Sequence, residues 1–121
     1  MKKIVLLFVV ALAVSGATMF GADTKANYES HCTKCHGADG KGDTKMGKRT
    51  GAKDYSDPKV QAELKDEAAF KAIKDGLKDK DGKMLMNPTE GVSDNDIKEL
   101  VAYMRTFKKN PASEQIDSRK P

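Results

Sequence analysis

Tryptophan is absent from this chain, cysteine and histidine occur twice each, and aromatic residues make up only 6% of the 121 positions. Two cysteines exclude a framework of several disulfides. A structural zinc site needs four ligands in a tetrahedron, and the only Cys and His residues, His31, Cys32, Cys35 and His36, are packed too closely in sequence to surround an ion. No segment alternates apolar and polar residues as a half-buried strand does, so the class is expected to be all-α. There is also no block of basic residues: lysines are scattered among acids, which argues against a nucleic-acid partner.

What is present first concerns the N-terminus. Met1-Lys2-Lys3 precedes an apolar run from Ile4 to Val14, then the small and polar residues Ser15, Gly16, Ala17 and Thr18, and the first acid is Asp23. This is the layout of a secretory signal peptide, so residues 1–22 are read as an export leader and the mature chain as periplasmic or otherwise exported. The competing reading is a retained anchor, because the uncharged stretch from Ile4 to Ala22 would just span a bilayer core of about 30 Å. Cleavage is preferred, since the strongly apolar part is short and no stop-transfer charges follow. A cut after Ala22 would place bulky Phe20 three residues before it; Ser15 and Ala17 suit a small-x-small rule better. The expected product is a monomer with no stable membrane insertion. Removing Lys2 and Lys3 lowers the formal charge from +4 to +2. The remainder suits one domain, residues 23–109, whose apolar core is of modest size.

Along that domain, Asp23 to Cys32 lacks Gly and Pro and reads as a short helix, with Tyr28 one turn before Cys32. Gly37, Gly40, Gly42, Gly47 and Gly51, interleaved with Asp and Lys, read as one continuous loop. Asp57-Pro58 starts a helix that fades near Lys65. A second helix begins near Asp66, with Ala69, Phe70, Ile73 and Leu77 at helical steps and Gly76 as a stop. Lys78 to Lys83 is a charged turn leading to Met84-Leu85-Met86-Asn87-Pro88, an apolar patch without period. Ser93 and Asp96 resemble a capping box, followed by the stripe Ile97, Leu100, Val101, Met104 and Phe107. Residues 110–121 read as a polar tail. The expectation is three to four helices joined by long loops.

Chemistry is concentrated in Cys32-Thr33-Lys34-Cys35-His36. This is the short motif for covalent haem attachment: each thiol adds across a haem vinyl group, and the adjacent histidine is held under the iron. A thioredoxin-like dithiol would need strand-helix-strand patterning around the pair, and none is present. The cofactor reading is therefore one covalently bound haem c per chain, with Cys32, Cys35 and His36 as its first contacts. A second axial ligand must come from elsewhere. His31 adjoins Cys32 and is tied to the same side of the ring. Methionine is the remaining choice, and Met/His ligation raises the reduction potential. Met46 lies in the glycine loop near the attachment residues, and Met104 belongs to the helical stripe. Met84 and Met86 remain; both could be apolar plugs, and Met86 is favoured because Asn87-Pro88 can fix the backbone after it.

These residues together resemble a class I cytochrome c of the small bacterial monohaem type. The resemblance runs from Tyr28 through Cys32-x-x-Cys35-His36-Gly37, Asp39-Gly40-Lys41-Gly42-Asp43 and Phe70-x-x-Ile73-x-x-Gly76 to Met86 and Ser93-Asp94-x-Asp96-Ile97-x-x-Leu100-Val101-x-Tyr103-Met104-Arg105. It implies that the first and last helices cross at one haem edge with Tyr103 at the crossing, and that Met86 is the axial methionine. One departure stands out. Many relatives carry a proline after the attachment site whose carbonyl orients the histidine; here none lies between Gly37 and Asp57. A backbone carbonyl of the glycine loop is expected in its place. With His36 and Met86 filling both axial positions, the expected function is electron transfer to and from redox partner proteins and not catalysis. Lys34, Lys45, Lys48 and Lys83 are candidates for steering an acidic partner. A haem enzyme or gas binder with a labile distal ligand is the alternative.

Overall fold

The computed structural model describes residues 22–108. The leader read over 1–22 and the tail over 110–121 therefore fall, but for Ala22, outside the described residues. No helix among the described residues is long and apolar enough to cross a membrane.

Helix α1, Ala22–His31, turns Thr24 and Tyr28 inward at four-residue spacing, and Cys32 continues the same stripe. Four-residue steps stack on one face of a helix, so the segment has a narrow buried stripe and an otherwise solvated surface. A short helix α2, Thr33–His36, follows directly and ends at Gly37, whose φ of 76° is a conformation that glycine adopts without penalty.

The segment read as a continuous loop contains a further helix, α3, Lys45–Thr50. Its signals are those of the ends and not of the interior. Thr44 caps the start by accepting from Gly47 N–H, and Gly51 closes the end in the left-handed conformation. With six residues, one of them glycine, α3 has no room for an apolar period. Gly47 is there for close approach: a Cβ would collide with the carbonyl oxygens of Cys35 and Gly42. Helix α4, Pro58–Glu63, has Asp57 as N-cap and Pro58 in its first turn, as expected. Helix α5, Asp66–Asp75, buries Ala69 and Ile73 and stops at Gly76.

The charged turn and the apolar patch after α5 form a small hairpin, which corrects the expectation that no strand is present. Strand β1, Leu77–Lys78, pairs antiparallel with β2, Met84–Met86, with Leu77 opposite Met86 and an irregularity between Leu77 and Lys78. Strands this short cannot display alternation in the sequence. The turn is closed by Asp79, whose Oδ1 accepts from Asp81 N–H and Lys83 N–H, both at 2.9 Å. The fold remains mainly helical, with six helical segments among the described residues against the three to four expected. The additions are the short α2 and α3.

Helix α6, Asp94–Arg105, opens with the complete capping box of Ser93 and Asp96, and buries Ile97, Leu100, Val101 and Met104. It packs on α1 and α5. At the α1/α6 crossing Tyr28 lies 5.1 Å from Tyr103 and 5.2 Å from Phe107, in tilted pairs favoured by ring quadrupoles. Thr24 Oγ1 donates to Glu99 Oε2 at 2.6 Å across the same interface. The other end of α6 is held by Arg105, which donates to the carbonyls of Gln61 and Leu64 and to Asp66.

Three expectations follow. Leu100 is fully buried, so Leu100→Ala lowers the unfolding free energy by about 2–5 kcal/mol in denaturant titration. Gly47→Ala destabilises despite alanine's higher helix propensity, because the obstacle is backbone; thermal melts of the two proteins check this. The Asp96 carboxyl is held below the usual carboxylate range, mainly by accepting from Ser93 N–H and then from the Ser93 side chain. A depressed folded-state value means its contribution is present above the ordinary carboxylate range and lost as the pH falls through the folded value. Asp96→Asn should therefore lower the melting temperature near neutrality, with the gap to wild type closing in acid.

Candidate functional site

The end of α1 and the whole of α2 carry the attachment motif. Cys32 is buried and Cys35 half-buried, and both are free thiols. Burial, and to a lesser degree Cys35, pushes the Cys32 thiol up to about 11, so it stays protonated near neutrality. His36 follows on the next turn, its N–H bonded to the carbonyl of Cys32. Burial lowers its pKa from the ordinary histidine value, leaving a neutral imidazole, the form that can coordinate a metal.

The backbone around the motif is pinned from three directions. Tyr28 Oη donates to the Gly37 carbonyl at 2.7 Å. The Thr44 hydroxyl lies within hydrogen-bonding distance of the Lys34 and Cys35 carbonyls, at 2.9 and 2.8 Å. Gly42 N–H donates to the His36 carbonyl at 2.8 Å. These contacts account for the glycine loop, which must approach α2 backbone to backbone. The carbonyl acceptor expected for the outer nitrogen of His36 is not found among the described residues, where Nδ1 is buried and has no hydrogen-bond partner.

Cys32, Cys35 and His36 open onto a cleft of about 730 Å³, whose other walls include Met46, Met84 and Met86. That is within the range of about 300–1,000 Å³ for cofactor sites. Below it, a cavity of about 30 Å³ is bounded by Cys32, His36, Tyr55, Ile73, Met86 and Met104. The two candidate methionines differ in setting. Met84 is 36% exposed, and its Cε lies beside Gly76. Met86 is half-buried against the core and reaches the inner cavity beside His36. Its backbone is held on both sides, by pairing with Leu77 and by the Thr89 N–H bond to the Ile73 carbonyl at 2.9 Å. The donor set of two free thiols, one neutral imidazole and thioether sulfurs around one cleft fits an iron porphyrin attached through thioethers.

The remaining expected residues are dispersed. His31 and Lys34 stand at the cleft wall; Lys48 pairs with Asp43 at 2.9 Å in an exposed bridge; Lys83 lies in the hairpin turn. Sequence reasoning missed Thr44, Gly47 and Tyr55. The cap at Thr44 was discoverable from Gly51 six residues after α3 begins. Tyr55, whose ring lies 5.3 Å from that of His36, carries no local signal.

Comparison with known proteins agrees with this geometry. The family model described as Cytochrome c matches residues 16–108, overlapping the end of the segment read as a leader. A solved structure described as KustC0563 c-type cytochrome is 32% identical, with a TM-score of 0.61, and the alignment covers 71% of this chain and 98% of that one. A tyrosine-to-phenylalanine mutant of Kustc0563 is 31% identical, with a TM-score of 0.59 and coverage of 71% and 99%. No curated protein matches. The chain belongs to the cytochrome c family and carries covalently attached haem c, with Cys32 and Cys35 at the spacing that attachment requires.

Proposed function

We propose that this protein is an exported one-electron carrier whose haem c is bound through Cys32 and Cys35 and ligated by His36 and Met86. Haem-based electron transfer is the function of the family; the ligands and the setting are the further step. The observation that carries the ligand assignment is the convergence of His36 and Met86 on the same inner cavity, with Met84 turned toward Gly76 at the exposed edge.

The haem, when bound, supplies a ferric/ferrous couple. The chain supplies everything that makes the couple usable. Cys32 and Cys35 fix the ring to the α1–α2 segment, which the α1/α6 core holds in place. The neutral His36 imidazole and the Met86 thioether would both hold the iron, and with the two in place small molecules would find no open site without displacing one of them. This favours a carrier over an enzyme or gas binder. Ile73, Met104 and the aromatic rings exclude water from the inner side, and an apolar surround disfavours the more highly charged ferric state, raising the potential. The exposed wall of the cleft offers an edge to redox partner proteins, with Lys34 available to attract acidic ones. Residues 1–22 would serve as the export leader, 23–109 as the functional domain and 110–121 as a tail.

Two measurements test this. Expression of the full chain with periplasmic haem-attachment machinery should give a mature product heavier by one haem, with the sharp reduced-state α-band of a c-type cytochrome; a colourless product with oxidised cysteines would sink the proposal. Among single variants, Met86→Ala should abolish the weak red absorption band of the methionine–iron bond, lower the midpoint potential and admit carbon monoxide, while Met84→Ala keeps the band. The reverse pattern would assign the ligand to Met84.

A further inference from the structure

The imidazole of His36 is held without the partner such a ligand ordinarily uses. A metal-ligating histidine usually directs its second nitrogen to a carboxylate, carbonyl or water, which fixes both its tautomer and its rotation about the Cβ–Cγ bond. Here Nδ1 is buried and has no hydrogen-bond partner among the described residues. No proline lies between Gly37 and Asp57 to present a carbonyl, and the loop carbonyls of Gly40 and Gly47 accept from Tyr55 N–H and Ala52 N–H. Among the described residues, what bears on the rotation of the ring is packing.

Tyr55 is the aromatic residue in that position. Its ring centroid lies 5.3 Å from that of His36 at an interplanar angle of 40°, within the range of favourable tilted aromatic pairs. Tyr55 sits in a loop, yet its backbone is fixed at both polar groups: its N–H donates to Gly40 O at 2.8 Å, and its carbonyl accepts from Gln61 Nε2 at 2.7 Å. Gln61 is itself buried, donates also to Met104 O at 2.9 Å, and is gripped by Arg105 through both its carbonyl and Oε1. A partly buried polar bracket joining the glycine loop, α4 and α6 thus ends on this one tyrosine.

We propose that Tyr55 is a positioning residue that orients the His36 imidazole by ring contact, in place of a hydrogen-bond acceptor at its outer nitrogen. The inference rests on His36 being an iron ligand. Its electronic corollary is that the imidazole gains no basicity from an acceptor and so stabilises ferric iron less than a hydrogen-bonded one would.

The test is proton NMR of the haem-loaded full-length product and two variants. In the reduced wild type, the His36 ring protons should carry the large porphyrin ring-current shifts of an axial ligand and show cross-relaxation to the Tyr55 ring. In the oxidised state, the spread of the haem methyl resonances reports imidazole orientation. Tyr55→Phe should keep that methyl pattern and the midpoint potential; Tyr55→Leu should redistribute the pattern. An unchanged pattern in Tyr55→Leu would overturn the inference. So would an equal change in Tyr55→Phe, which would place the effect on the hydroxyl. Should Tyr55→Leu fail to load haem, the wild-type measurement decides: ligand-type shifts without cross-relaxation to Tyr55 overturn this inference alone, whereas His36 protons without such shifts overturn the ligation on which it rests.

Discussion

The buried side chain of Tyr28 is the contact through which the rest of this structure is connected. Its ring is packed against Tyr103 and Phe107 where α1 crosses α6, and its hydroxyl donates to Gly37 at the end of α2. One residue thus couples the packing of the two terminal helices to the geometry of the attachment segment between them. A buried phenol must find a partner for its hydroxyl, and the Gly37 carbonyl satisfies that need only if α2 turns where it does. Burial also pushes the Tyr28 pKa upward, so the hydroxyl stays a donor. Cys32 lies one turn beyond Tyr28 on the same stripe. The attachment residues are therefore an extension of the core and not an appendage to it.

The glycine loop meets the opposite requirement. Where the core holds α2 by side chains, the loop holds it by backbone, and backbone contact demands residues without bulk. Phe107 lies over Gly40 so closely that a Cβ there would enter its ring. Gly47 approaches the Cys35 carbonyl in the same manner, while the Thr44 hydroxyl both reaches that carbonyl and caps α3. The same few atoms bond the last carbonyls of α2, that of Cys35 among them, and begin α3. The polar composition of the loop, in which Met46 is the one large apolar side chain, suits it to this role: its hydrogen bonds go to α2 and not to a core of its own.

The longer helices and their partners were legible in the sequence because their signals are local and repeated. Ser93 with Asp96 and the stripe from Ile97 to Met104 define α6 almost to the residue, and Asp57-Pro58 does the same for the start of α4. The haem c cofactor was legible because its attachment motif, Cys32-x-x-Cys35-His36, is confined to five positions. What escaped was short or non-local. Helix α3 has caps but no interior pattern, and the β1/β2 pair is too brief to alternate. Tyr55 meets His36 only because Gln61 and Gly40 bring its loop there, and Gln61 in turn answers to Arg105, 44 positions later. No window of sequence contains that chain of contacts.

The two walls of the cleft are built to different stiffness, which bears on how such a carrier fails. The attachment wall is continuous with the α1/α6 core and secured by Tyr28, Thr44 and Gly42. The methionine wall depends on a strand of three residues paired with one of two, on the Asp79 turn, and on the single bond from Thr89 to Ile73. A two-stranded hairpin is marginal in water by itself, and segments with few buried contacts open at lower free energy than the core. Local opening of the hairpin would release Met84 and Met86 while Cys32, Cys35 and His36 stay in place. On the proposed ligation, Met86 would then be the first contact given up, while Cys32, Cys35 and His36 stay on the rigid wall, so that stress on this fold would open the methionine side of the cleft before it unfolds the chain.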